Sequence, residues 1–340
     1  MITASPRRTR LRALAAALAL TATAALAAAC GGGETGNAAI GADGKIDLSK
    51  VTLRVGDQKG GQQALLAAAG ELAGTPYKVE FKQFTSGPPM LEAINAGAVD
   101  FGAVGNAPPV FAAAAGSKLK IVSAADIGLT GQAILVAKDA PIRTPAELKG
   151  KRVAVAKGSS SHYHLLTVLK KAGLGFKDIQ PQYLAPPDAL AALSTGKLDA
   201  WAIWDPYTAQ GEAQAGGRLL VDGTGYTNGY QVIVAGQKTL DDRAKEAALR
   251  DYLTRQRRAL VWSAAHVDGW AKVWAKDTGL PLPIAETAAK RRAAKLIKVD
   301  DALVTAEQAL ADAFHAEKLI PVKVTMADHV DRRFNDIEVK

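Results

Sequence analysis

Cysteine is almost absent. The 340-residue chain has one, Cys30, so no disulfide forms within the molecule, and a cysteine-rich metal centre has no second thiolate to draw on. Histidine is scarce as well: there are five, and only His162 and His164 lie close together. Side chains two apart at a helix start point in different directions, and no other Cys or His group completes a site, so no metal and no cofactor are expected. Lys and Arg outnumber Asp and Glu by 42 to 33. The basic residues are mixed with acids and do not form a stripe interleaved with aromatics, which argues against a nucleic-acid surface. Strongly apolar runs are missing too. The one candidate, LAAALALTATAALAAAC ending at Cys30, is dominated by alanine and falls short of the about 20 strongly apolar residues of a membrane span.

That run fits export instead. Arg7, Arg8, Arg10 and Arg12 precede it with no acid, and small residues close it, which together describe a secretory signal over residues 1–29. Leu26, Ala27, Ala28 and Ala29 lead into Cys30 in the manner of a lipobox, whose cysteine is lipidated and becomes the new N-terminus. Leu26 stands four places before the cysteine instead of the usual three, and a free thiol after an ordinary cleavage site is the alternative. Arg7-Arg8 leaves both the general secretory and the twin-arginine routes open. The expected location is outside the cell membrane or in the periplasm, anchored at Cys30. Loss of residues 1–29 removes four arginines and no acid, lowering the formal charge from +9 to +5 and leaving 311 residues, enough for two domains. A mildly basic fold of this kind is compatible with an anionic small ligand.

Residues 30–48 carry the Gly/Ala-rich composition of a flexible tether. From Val51 the pattern alternates short β-branched runs, such as VTLRVG and LKIVSAA, with helical stretches of about 8 to 14 residues, which predicts parallel strands and crossover helices in an α/β sheet. It restarts at TPAELKG. Two segments then superimpose: PPMLEAINAGAVDFGAVGNAP (88–108) and PPDALAALSTGKLDAWAIWDP (186–206) share a Pro-Pro start, an apolar helix, a glycine, an aspartate three residues later and an apolar strand. Proline opens a helix and glycine closes it. Two lobes of similar design follow: residues 49–133 as the first part of lobe 1, 134–230 as lobe 2, and 231–340 as a return to lobe 1 with C-terminal helices. Trp262, Trp270 and Trp274, spaced by eight and four, fall near one helical face. They either pack those helices onto a lobe or stack on a ligand.

The stretch VAVAKGSSSHYHLL (153–166) concentrates the chemistry. A hydrolase would place its serine in a G-x-S-x-G turn, and the second glycine is missing; a phosphate-binding P-loop would place the lysine after a GxxxxG turn, whereas Lys157 precedes Gly158. An anion cradle survives, because a helix N-terminus offers unpaired amides and a partial positive charge, and Ser159, Ser160 and Ser161 add hydroxyls. Similar turns recur at strand ends: Gln58-Lys59-Gly60-Gly61, Thr85-Ser86-Gly87-Pro88-Pro89, Gly105-Asn106-Ala107-Pro108 and Trp204-Asp205-Pro206-Tyr207. In open α/β sheets the ligand crevice lies beyond the carboxyl ends of the strands, so these turns converge on one cleft.

These segments, with AILVAKDAPIRTPAELKGKRVAVAKG and LDAWAIWDPY, resemble the aliphatic sulfonate-binding proteins, the solute receptors of sulfonate-importing ABC transporters. The resemblance runs from about Val51 to Tyr230. It implies a two-lobed periplasmic-binding-protein fold of type II, a monomer with an interlobe cleft, an alkanesulfonate or similar anion as ligand, and ABC permease subunits as partners. The ligand-binding positions it implies are Gln58, Lys59, Ser86, Gly87, Pro88, Gly105, Asn106, Gly131, Gln132, Ser159, Ser160, His162, Trp204 and Asp205. Gly87-Pro88 and Ser159-Ser160 would meet the sulfonate oxygens through backbone N–H groups and hydroxyls, and Trp204 the organic tail. Asp205 either caps the helix after it or meets an amine on a taurine-like ligand, and His162 either touches the ligand or caps its helix. Taurine, nitrate or another small solute is the alternative ligand. Enzymes of related fold include a desulfinase with a cysteine nucleophile, and Cys30, spent on the export signal, leaves no thiol for that chemistry. Cys30→Ala is expected to move the protein out of the membrane fraction; retention there overturns lipidation at this residue.

Overall fold

The computed structural model describes residues 39–339. The expected signal, Cys30 and the start of the tether lie outside the described residues. Lobe 1 begins with β1 (Thr52–Gln58), α1 (Gln62–Ala68), β2 (Lys78–Phe84), α2 (Gly87–Asn95), β3 (Phe101–Gly105), α3 (Ala107–Ala114) and β4 (Leu119–Asp126). The chain then crosses to β5 (Gln132–Val136), β6 (Arg152–Val155), α4 (Ser160–Lys171), β7 (Gln180–Tyr183), α5 (Pro186–Ser194), β8 (Ala200–Trp204), α6 (Tyr207–Gln214) and β9 (Arg218–Asp222). It returns through β10 (Tyr230–Gly236), α7 (Gln237–Asp241), α8 (Arg243–Ala265), α9 (Val267–Thr278), α10 (Leu282–Lys290), β11 (Lys295–Ile297) and α11 (Asp301–Ala316).

The first sheet has the order β11-β4-β10-β3-β1-β2 and the second β7-β6-β8-β5-β9. Each contains a parallel trio, β2-β1-β3 in one and β7-β6-β8 in the other. Beside each trio lies a strand that runs the opposite way: β10 pairs antiparallel with β3 and β4, and β5 antiparallel with β8 and β9. The alternating sequence pattern predicts parallel strands only. Three strands depart from this. β5 and β10 follow the lobe crossings: the chain enters each new lobe from the cleft side, so its first strand runs away from the cleft while the trio runs toward it. The short β11 is the third, antiparallel to β4 at the sheet edge.

The duplicated segments fold alike. α2 and α5 carry proline in their first turn, and Gly97 and Gly196 follow their ends at φ +75° and +68°, the left-handed geometry that terminates a helix. The shared aspartate proves to be a clamp. Asp100 accepts from the Arg54 amide (2.7 Å) and from its guanidinium (2.8 and 3.3 Å), tying the start of β3 to β1. Asp199 repeats this with Arg152, at 2.8 Å to the amide and 2.9 and 3.0 Å to the guanidinium, tying β8 to β6. In lobe 1 the clamp gains a third member, Lys245 of α8, at 2.8 Å from Asp100. Burial alone would raise the Asp100 carboxyl, but the bonds from Arg54 and Lys245 hold it below its usual range.

The C-terminal helices complete lobe 1. Trp270 and Trp274 stack at 5.3 Å, both buried in a cluster with Leu53, Val55 and Phe101 of the first sheet. These two indoles therefore pack α9 onto the lobe. No described helix is long and apolar enough to cross a membrane. Because the Asp100 side chain is 3% exposed and that of Asp199 29% exposed, Asp100→Ala is expected to cost about 3 kcal/mol by stranding two cations, and Asp199→Ala about 1 kcal/mol. Chemical denaturation of both variants checks the order; equal losses contradict it.

Candidate ligand-binding cleft

The carboxyl ends of the parallel strands meet in one cleft, open at its mouth. Lobe 1 contributes Gln58, Lys59 and the two glycines after them, Gly87 at the first turn of α2, and Gly105 at the end of β3. Lobe 2 contributes Gln132, Ser159, Ser160, Trp204 and Asp205, while Gly131 lines the cleft from the crossing segment. Ten residues proposed from the sequence are thus brought together from both lobes.

The lobes approach closely here. A side-chain carbon on Gly105 would fall 1.8 Å from the Ser160 Oγ, so the end of β3 faces the first turn of α4 at close range across the cleft. Gly60, at φ +69°, is held to the same limit by the Trp274 indole, whose Nε1 lies 1.5 Å from where its Cβ would be. Within α4, Ser159 caps the helix by accepting from the His162 amide at 3.2 Å. The amides of Ser160 and Ser161 belong to the first turn, which no helical carbonyl serves. Gln58 donates its amide hydrogen to Ala103 O at 3.1 Å, which fixes its side chain against β3. Asp57, just before it, caps α1 through the Gln62 and Gln63 amides at 2.6 and 3.0 Å.

Four of the proposed residues stand elsewhere. Pro88 has no N–H to offer and does not line the cleft, so of the Gly87-Pro88 pair only Gly87 presents an amide. Ser86 is buried behind it as the N-cap of α2. Asn106 is fully buried and donates to Asn228 Oδ1 at 2.6 Å, pinning the return crossing instead of facing a ligand. His162 is also fully buried. Its Nδ1 accepts from the Gly158 amide at 3.1 Å, and its ring lies among Phe111 of α3, Phe314 of α11, and Phe176 and Tyr183 of lobe 2, at 4.8 to 5.8 Å. It fixes the serine turn from behind, at the contact between the lobes, and does not reach the cleft. Asp205 caps α6 through the Ala209 amide at 3.0 Å, while its buried Oδ2 has no partner among the described residues. Burial pushes its carboxyl up to about 6, opposed by the nearby Arg291.

The cleft also holds residues outside the binding positions expected from the sequence. Tyr230 and Gln231 enter from β10, and Trp274, Arg291 and Arg292 from the C-terminal helices. Arg292 lies over the Trp274 ring at 5.7 Å, and burial lowers its pKa. Arg291 meets Glu212 of α6 at 2.7 Å and Asp205 at 3.6 Å, so it reaches across from lobe 1 to lobe 2. The only signal available was a pair of arginines after a helix, a pattern that ordinarily marks a solvated end.

Residues 77–267 match the family described as NMT1/THI5 like. A protein of Escherichia coli (strain K12) named as an aliphatic sulfonates-binding protein is 39% identical over 288 residues, which cover 84% of this chain and 90% of that one. This chain belongs to the aliphatic sulfonate-binding family. Two solved structures agree with that membership. The alkanesulfonate-binding protein SsuA from Xanthomonas axonopodis pv. citri, bound to MOPS, matches with a TM-score of 0.76 and 35% identity over 83% of this chain and 98% of that one. The periplasmic aliphatic sulphonate binding protein SsuA from Escherichia coli matches with a TM-score of 0.73 and 37% identity over 82% and 92%. The two-lobed periplasmic-binding-protein fold of type II is thereby established for this member of the family.

The environment of His162 gives this family member an acid-sensitive joint. Burial, with Lys157 nearby, lowers its pKa to about 3, so it is neutral when folded and takes up a proton on unfolding below about pH 6.5. Its contribution to stability is complete above that value and is lost as the pH falls toward 3. His162→Gln is therefore expected to reduce the fall in unfolding free energy between pH 6 and pH 4 by about 1.4 kcal/mol per pH unit. Parallel denaturation curves at these pH values measure the difference, and equal slopes contradict a buried neutral imidazole.

Proposed function

We propose that this protein is the extracytoplasmic solute receptor of an ABC importer, which captures a small organic sulfonate between its lobes and hands it to the permease. The observation that carries this reading is the arrangement of the cleft wall. Gly87 at the start of α2 and Ser160 at the start of α4 face one another's lobes, each at a helix N-terminus whose first amides lack helical acceptors. Helix starts of this kind favour an anion without fully neutralising it, which suits reversible capture and release. Trp204 adds apolar surface for an organic substituent. The Xanthomonas relative holds MOPS, itself a sulfonate, which supports the same ligand chemistry here.

Binding without chemistry on the ligand is the role that fits. Among the described residues no cysteine exists, and the serines of the cleft lack a base: Ser159 caps its own helix, and His162 is turned away from the hydroxyls. We further propose an exported protein held at the membrane by a lipid on Cys30, acting as a monomer. Closure of the lobes on the ligand would create the form that the permease reads.

A thermal-shift panel tests the class and the ligand together. A short alkanesulfonate at 100 times its dissociation constant is expected to stabilise by about 2.7 kcal/mol and to raise Tm by about 5 °C. Taurine, nitrate and sulfate complete the panel. No shift with any sulfonate contradicts the reading, and a larger shift with nitrate moves the receptor to another anion.

A further inference from the structure

Arg291 stands immediately after α10, and its surroundings join three parts of the molecule. Its carbonyl accepts from the Thr130 hydroxyl at 3.4 Å, and the amide two residues on, from Ala293, donates to Ile127 O at 3.0 Å. The backbone is thus stitched to the segment where the chain crosses between lobes. Its Nη2 donates to Glu212 Oε2 at 2.7 Å, on α6 of lobe 2. Its Nη1 is buried, lies 3.6 Å from Asp205 Oδ1, and has no hydrogen-bond acceptor among the described residues. The side chain is 22% exposed and lines the cleft.

We propose that Arg291 is the specificity-determining cation of the cleft: Nη1 binds an oxygen of the ligand's anionic group while Nη2 holds the second lobe through Glu212. The inference rests on the reading of the cleft as an anion site. The guanidinium is a planar fork that stays charged, with donors fixed relative to each other, so one arm can serve the other lobe while the second serves a ligand oxygen. A neutral solute of the same shape leaves a buried donor unpaired, and discrimination then follows from that loss. Because both arms belong to one rigid group, an anion on Nη1 orients the arm that grips Glu212. Ligand charge is thereby linked to the contact that keeps the lobes together. Lysine cannot reproduce this, since a point charge on a flexible stem does not orient two partners at once.

The test is calorimetric titration of 1-pentanesulfonate into the wild-type protein and three variants, Arg291→Gln, Arg291→Lys and Glu212→Gln, with the double variant Arg291→Gln/Glu212→Gln. Loss of a charge-assisted hydrogen bond predicts about 30-fold weaker binding for R291Q, and R291K is expected to recover only part of it. E212Q leaves Nη1 in place and is expected to weaken binding about three-fold, and the double variant to bind no more weakly than R291Q alone, as two changes in one linkage are not additive. Circular dichroism and Tm establish that each variant is folded; if R291Q does not fold, R291K and E212Q carry the comparison. R291Q binding within about two-fold of wild type overturns the assignment alone. Fully additive losses overturn the linkage through Glu212. No binding of 1-pentanesulfonate, taurine or sulfate by the wild-type protein overturns this inference together with the anion reading beneath it.

Discussion

Because β1, β2 and β3 run toward the second lobe, and β6 and β8 toward the first, each helix that follows one of them begins at the cleft. Its unpaired amides and the positive end of its dipole are turned inward. Strand direction is therefore the constraint on which the site depends, and the Arg54–Asp100 and Arg152–Asp199 clamps secure it by fixing the outer ends of neighbouring strands in each lobe. The electrostatic character of the cleft follows from topology before any particular side chain is chosen. Side chains then trim it: proline in the first turn of α2 and α3 removes surplus donors, and Asp57 and Asp205 satisfy those of α1 and α6. Gly87 and the first turn of α4 are left as the donors with least competition from the protein itself.

An anion site of this kind works only if water is kept from the donors, which requires the lobes to come together without filling the space. The contacts between them lie behind the cleft and in its wall, where Gly105 faces Ser160. Behind α4, His162 meets Phe111 and Phe314, and Phe111 lies edge-on to Phe314 at 4.8 Å. Phe111 also lies 3.1 Å from where a side chain on Gly158 would be, so the serine turn is pressed onto lobe 1 through a glycine. On the far side, Arg291 reaches Glu212. One contact is apolar, and the other, ionic, belongs to the cleft wall. Bringing two lobes to such contact costs little reorganisation when each side is already rigid, which the buried cores of both sheets provide.

The features legible in the sequence were those set by local chemistry. The Pro-Pro start, the closing glycine and the aspartate three residues later announced a duplicated unit, and the glycine and serine turns at strand ends announced the cleft. The direction of β5 and β10 was not legible, because it depends on which end of the sheet the chain enters. The same holds for His162 and Asn106. Their neighbours in sequence place them at helix starts facing a ligand, while Phe314 and Asn228, each more than a hundred residues away, bury them. Arg291 was missed for the converse reason: nothing within ten residues of it marks a binding surface, and only the return of α10 against α6 brings it to the cleft, whereas Trp274 was read from its helical spacing as packing a lobe or stacking on a ligand.

That division between duplicated and unduplicated parts bears on how such receptors diverge. The two repeats supply the helix starts, and helix starts recognise an anion through backbone atoms that substitution scarcely alters. Trp274, Arg291 and Arg292 come from the C-terminal part of the chain, which has no counterpart in the repeat. Replacement of Arg291 changes charge and polarity at the cleft without removing a residue from either sheet. The repeats thus bring backbone donors to the cleft, while the C-terminal part adds to it side chains remote in sequence from the motifs that define the fold.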